Sequence, residues 1–328
     1  MKIAIKSPRA IAAMEMLTAL QQLFVKQLHT IECNKKQHSQ VIEWLRDNGL
    51  HGGGMRVQFI ESSAFNRASL NISQVHYDDL SQKSFSSATA LSVIIHPHHP
   101  LAPSMHMHIS WSEFRDGKGS WRIMADLNPA IVDLADKAYF EKILQRVSGD
   151  LYQQGRELAQ RYFTIPALGC TRGVSHFYLE GFIANDDQQA LFPQQFGEAV
   201  INGYCHLLKN KLQQVGQPSA EELQAQLNYH TLYFYQVLTL DKGTTTGLLV
   251  HDQNDLGVLA SLPAAINRTL LSDWVTKTAE PQKQLLTKLL NILEPHETVV
   301  ITEQVKLAIA AQLRAHYKDH EQTKYLIK

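Results

Sequence analysis

Hydrophobic and polar positions change their period several times along this chain. From Ser7 to about Glu32 the residues Leu17, Leu20, Phe24, Leu28 and Ile31 recur at helical spacing, which predicts an amphipathic helix. Ser7-Pro8 supplies a capping hydroxyl and then a proline at the first helical position, where a missing N–H is harmless. The stretch VIEWLRDN predicts a second, short helix that stops at the glycines of NGLHGGG. The pattern then becomes strand-like through MRVQFIESSAF, ASLNISQV, ATALSVIIHP, MHMHISWSEF and SWRIMADL. Asp116-Gly117-Lys118-Gly119 predicts the hairpin turn between the last two.

From Pro129 to Tyr162 the pattern is helical, GVSHFYLEGF reads as a strand, and AVINGYCHLLKNKLQQV reads as a helix. TLYFYQVLTL and TTGLLV predict two strands joined by Asp241-Lys242-Gly243-Thr244. GVLASLP is a short apolar run, and helices are expected at about 282–293 and 301–316. Sequential hairpin-linked strands with helices before and after predict one α+β domain over residues 1–328, an antiparallel sheet covered by helices.

Composition narrows the function. Lys+Arg and Asp+Glu balance at 31 each, so bulk charge points to neither a nucleic acid nor a membrane surface as partner. No run reaches membrane-spanning length, and MKIAIKSPRA lacks the apolar core of a signal peptide, so a cytoplasmic protein is expected. Cys33, Cys170 and Cys205 are far apart and odd in number, which suits free thiols rather than disulfides or a paired-cysteine metal site. No GxGxxG follows a strand, GGGM lacks the lysine of a phosphate loop, and GxSxG is absent.

Chemistry concentrates in Leu91–Pro129, which holds His96, His98, His99, His106 and His108. Alternation places His106 and His108 on one face of a strand. Two imidazoles on one face opposite a His-rich corner suit either a metal site or an acid/base site. H-x-H followed by Glu113 matches half of a cupin metal motif, but its leading glycine and its second half are missing.

Several ordered motifs carry the reading further. They are GGGMRVQFIESSAFNRASLNISQVH, Ser92-Val93-Ile94-Ile95-His96-Pro97, Met105-His106-Met107 and Met124-Ala125-Asp126-Leu127-Asn128-Pro129. After these come Tyr162-Phe163, the run from Arg172 to Phe182, Asp241-Lys242-Gly243-Thr244 and Ser261-Leu262-Pro263. In this order the chain resembles the oxygen-dependent coproporphyrinogen III oxidases, with a matching core over about residues 40–275 and C-terminal helices at 280–328. The resemblance implies a large antiparallel sheet sandwiched between helices, a homodimer, and conversion of coproporphyrinogen III propionates to vinyl groups in haem biosynthesis. Molecular oxygen is the implied co-substrate, with no organic cofactor.

Carried over residue by residue, the resemblance makes His106 the proton donor and Asp241 the pyrrole-binding aspartate. Ser92, Asn71, His108 and Arg172 become substrate-binding positions, and His96, His106 and His108 a candidate divalent-metal set. The chain also departs from the family. His108-Ile109-Ser110 replaces Asn-Val-Arg, Ala167-Leu168 replaces His-Arg, and Tyr229–Tyr233 replaces an arginine-rich entry. Residues around Asp252-Gln253-Asn254 replace a Gly-Gly-Arg loop. Each carboxylate of a tetracarboxylate substrate gains about 1.5–3 kcal/mol from a charged partner. Two alternatives therefore stand beside the first reading: a paralogue with a smaller carboxylated substrate and a His-bound metal, or a non-catalytic family member.

Overall fold

A computed structural model describes residues 4–32, 39–59, 62–83, 85–251 and 253–320. Cys33 and Asp252 lie outside the described residues. The chain divides into two compact units, one running to Arg161 and resuming over Gly173–Gly216, the other made of Tyr162–Arg172 and the chain from Gln217 onward.

The first unit is built on a seven-stranded sheet whose strands follow chain order. These are β1 (Ser39–Leu45), β2 (Gly52–Phe59), β3 (Phe65–His76), β4 (Phe85–Pro97), β5 (Ser104–Phe114), β6 (Gly119–Asn128) and β7 (Ser175–Phe182). Every pairing is antiparallel. The longest helices of this unit are α1 (Pro8–Ile31), α2 (Leu134–Ser148) and α3 (Phe192–Gln214). Ser7 caps α1 as expected, its hydroxyl accepting from the Ala10 N–H.

Period-two alternation splits each strand between two faces. Val93 and Ile95 of β4, Met107 and Ile109 of β5 and Ile123 and Leu127 of β6 face one way, into a core shared with Leu17, Phe24, Phe196 and Tyr204 of α1 and α3. Burial of each such side chain contributes roughly 1.5–3 kcal/mol. The intervening residues, many of them polar, must then share the other face.

The VIEWLRDN helix is not formed; those residues lie mostly in β1. Trp44 pairs across the ladder with Gly54, where a Cβ would sit 2.7 Å from the indole nitrogen. The bare glycine therefore lets the indole lie against the sheet, and Trp44 packs with Val75 and Tyr77.

The second unit is mainly helical: α4 (Ala220–Thr239), α5 (Lys242–Val250), α6 (Gln282–Ile292) and α7 (Glu303–Asp319). It also holds two short ladders, Thr164–Ile165 with Cys170–Thr171 and Ala265–Asn267 with Thr298–Val300. Both strands expected here are corrected, since TLYFYQVLTL lies in α4 up to Thr239 and TTGLLV lies in α5. Residues Tyr233 to Thr239 of α4 are all buried, so the segment shows no polar stripe of period 3.6. Its start is nevertheless marked by a capping box, Ser219 with Glu222.

The α+β class read from the sequence is the class observed. Among the described residues no helix is long and apolar enough to cross a membrane. Cys170 and Cys205 are free thiols.

Candidate functional site

With Met105, Met107 and Ile109 committed to the core, His106, His108 and Ser110 emerge on the opposite face of β5. Strand register then aligns them with residues from neighbouring strands. One row runs Asn71, Ser92, His108, Met124 across β3 to β6. The next runs Ser69, Ile94, His106, Asp126, His176 across β3 to β7. The rows are one pleat repeat apart, roughly 7 Å.

His106 and Asp126 form a charged contact on this face. Asp126 is fully buried, and its Oδ1 lies 3.3 Å from His106 Nδ1. That is close enough for charge pairing, but it lacks the alignment of a hydrogen bond. The other carboxylate oxygen accepts from Asn128 Nδ2 at 2.5 Å. The His106 side chain keeps 20% exposure, so it links a dry carboxylate to the outside. A carboxylate taken out of water is held by such partners, and an imidazole beside it can carry a proton.

His108 is placed differently. Its Nδ1 lies 2.8 Å from Ser92 Oγ and its Nε2 3.0 Å from Ser110 Oγ, so both nitrogens are engaged by hydroxyls. Burial, then the charges of Arg122 and His106, hold its pKa well below the usual histidine range. It is therefore a neutral ring. Asn71 accepts from the Trp44 indole N–H at 3.2 Å. His96 is fully buried, with Nδ1 2.9 Å from Ser104 Oγ.

The remaining two candidates belong to the second unit. Arg172 is buried, its Nε donates to Gln236 Oε1, and its guanidinium carbon lies 4.8 Å from the Phe163 ring centre and 5.0 Å from that of Tyr233. Burial pushes the Tyr233 hydroxyl pKa up, with the Arg172 charge acting against it. Asp241 is the N-cap of α5. Its Oδ1 accepts from the Tyr162 hydroxyl at 2.5 Å and its Oδ2 from the Thr244 N–H at 2.6 Å. Both oxygens are thus engaged by the chain itself.

The structure therefore brings Asn71, Ser92, His106 and His108 onto one face of one sheet, and it gathers Arg172 and Asp241 in the second unit. It does not gather a metal set. Among the described residues no three His, Cys, Asp or Glu side chains converge closely enough to hold a metal ion. The three histidines instead turn to separate partners, His96 to Ser104, His106 to Asp126, and His108 to Ser92 and Ser110. The described residues thus show His96, His106 and His108 apart rather than as one ligand set.

Asp126 is the residue that motif reading passes over as a site residue. Its signal lies in the hairpin. Counting equal steps outward from the turn at Asp116 brings His106 opposite Asp126, which is the observed register.

Comparison with known proteins agrees with this frame. The coproporphyrinogen III oxidase family model matches residues 12–294. The mitochondrial oxygen-dependent coproporphyrinogen-III oxidase of Rattus norvegicus is 26% identical over 280 residues, covering 77% of this chain and 61% of the relative. The oxygen-dependent coproporphyrinogen-III oxidase of Dictyostelium discoideum is 28% identical over 191 residues, covering 54% of each. That of Prochlorococcus marinus (strain AS9601) is 25% identical over 261 residues, covering 67% of this chain and 74% of the relative. The chain spans 61% of the rat relative's length and 54% of the Dictyostelium relative's. A family match over most of the chain, in the order of the motifs that build the polar face, places this chain in the coproporphyrinogen III oxidase family.

Proposed function

We propose that the polar face of the first unit is the substrate site of an O₂-dependent oxidative decarboxylase acting on the propionates of coproporphyrinogen III. The observation that carries this reading is the fully buried Asp126 carboxylate beside His106. A porphyrinogen offers convergent pyrrole N–H donors and no positive charge, and a desolvated carboxylate is a strong acceptor for such donors. Accepting them makes the pyrrole more electron-rich and so easier to oxidise. Each of the two propionates converted loses CO₂ and a hydride equivalent, two electrons with one proton, and a vinyl group remains. Oxygen is the electron acceptor.

His106 is assigned the proton transfer, because it touches the carboxylate and also keeps exposure. Ser92, Asn71 and the neutral His108 are assigned to positioning the substrate through hydrogen bonds. Asp241 and Arg172 are assigned to the internal order of the second unit, since their polar atoms already serve the chain. The proposal includes a homodimer and chemistry without an organic cofactor, as the family resemblance implies.

The test is direct. Coproporphyrinogen III, reduced anaerobically and then mixed with protein and O₂, is expected to yield vinyl products and CO₂. No conversion at high enzyme concentration would sink the reading.

A further inference from the structure

Three arginines, Arg56, Arg67 and Arg122, share the polar face with the histidines by strand parity, on β2, β3 and β6. Their positions are unequal. Arg56 stands opposite Asn71 and Arg67 opposite His96, on strands that are not neighbours of β5. Arg122 stands directly opposite Ser110 on the strand next to His108, and it shares β6 with Asp126. Its guanidinium carbon lies 5.2 Å from the Tyr178 ring centre. The Tyr178 hydroxyl is in turn tied to Glu180 Oε2 at 2.7 Å, so the platform under the cation is itself held.

His108, the other basic group at this spot, has both ring nitrogens engaged by the hydroxyls of Ser92 and Ser110. It has no nitrogen left to offer an anion. A planar guanidinium resting on an aromatic ring keeps its edge donors in a fixed plane, the geometry that suits a carboxylate. Four residue steps along β6 separate Arg122 from Asp126, roughly 14 Å of strand. One ligand with a pyrrole at Asp126 and a carboxylate-bearing arm along the strand would span that distance.

We propose that Arg122 is the specificity-determining cation that receives a substrate carboxylate on this face, with His108 beside it held by Ser92 and Ser110. This rests on the reading of the polar face as the substrate site. Ser110 and Arg122 are a direct cross-strand pair, so Ser110→Arg with Arg122→Ser moves the guanidinium by about one strand spacing, roughly 5 Å, without leaving the face.

The experiment combines steady-state kinetics on coproporphyrinogen III with fluorescence titration of coproporphyrin III and its tetramethyl ester. Arg122→Gln is expected to raise KM and the coproporphyrin Kd about 10- to 100-fold while kcat moves far less. Arg122→Lys should fall between, the exchanged pair should recover most of the affinity, and binding of the ester should not respond to any of them. Melting curves that overlay wild type remove misfolding as a cause. Unchanged KM and Kd in Arg122→Gln, or a loss confined to kcat, would overturn the assignment. Should wild type convert no coproporphyrinogen, the proposed reaction falls, and the titration still decides the role of Arg122. Carboxylate-dependent binding abolished by Arg122→Gln keeps it. Absent or ester-tolerant binding ends it.

Discussion

Asp126 and Asp241 are the same side chain placed under opposite constraints. Asp126 comes from the middle of a strand, is fully buried, and meets a histidine 3.3 Å away without hydrogen-bond alignment. Asp241 sits at a helix start, where the Tyr162 hydroxyl and the Thr244 N–H occupy one oxygen each. Burial and the neighbouring group are the difference between them. A carboxylate whose lone pairs serve a helix end is part of the scaffold. One held dry beside a titratable ring is placed for chemistry. The identity of a residue in a motif-bearing turn therefore says less about function than where its acceptor atoms are spent.

The largest effect expected from this contrast is on turnover. Asp126→Asn keeps the shape and removes the charge, and should lower kcat by about 1000-fold or more, in the range seen for removal of a preorganised electrostatic group. Steady-state rates on anaerobically prepared coproporphyrinogen III check it. A variant retaining a tenth of wild-type kcat would place the essential charge elsewhere.

His106→Ala comes next. Loss of a positioned proton carrier costs about 100- to 10,000-fold, and imidazole added to the assay should restore part of the rate because the ring keeps an opening to the outside. A variant with normal turnover would separate the histidine from the reaction and leave Asp126 acting alone.

Much of this geometry is legible in the amino-acid pattern itself. The alternation in MHMHISW and SWRIMADL, with the Asp-Gly turn between them, determines which residues share a face and that His106 faces Asp126. Three features are less open to reading. Trp44 lies in a strand because a neighbouring strand offers a bare glycine, a long-range fit that VIEWLRDN cannot reveal. The last two turns of α4, Tyr233 to Thr239, are buried all round, so their aromatic and β-branched residues imitate a strand. Arg122 is hidden for a different reason. Its place directly across the ladder from Ser110 follows only from the register of β5 with β6, which no motif announces.

A smaller effect is expected from His108 as pH falls. Folded His108 resists protonation because of burial and the charges of Arg122 and His106, while the unfolded ring accepts a proton near pH 6.5. Below that pH the unfolded chain binds more protons, so stability present above about pH 6.5 is lost as pH falls, by up to about 1.4 kcal/mol per pH unit for this one group. Urea unfolding between pH 7.5 and 5 should show a shallower decline in His108→Gln than in wild type. Equal slopes would mean that the folded ring takes up its proton as readily as the unfolded one.

The smallest effect closes the comparison from the other side. Asp241→Ala removes the acceptor for Thr244 N–H at the start of α5 and the partner of the Tyr162 hydroxyl. Loss of a helix cap costs about 0.5–2 kcal/mol, so the variant should unfold at lower denaturant. Its kcat and KM, measured well below the transition, should stay within a few-fold of wild type, because neither oxygen is offered to a guest. Asp241→Asn sharpens the point, since asparagine caps a helix nearly as well and should restore the stability. The opposite pattern, full stability in both variants with activity gone, would exchange the roles of the two aspartates. The carboxylate that touches substrate would then be the one whose oxygens hold a helix end and a tyrosine hydroxyl in the free protein.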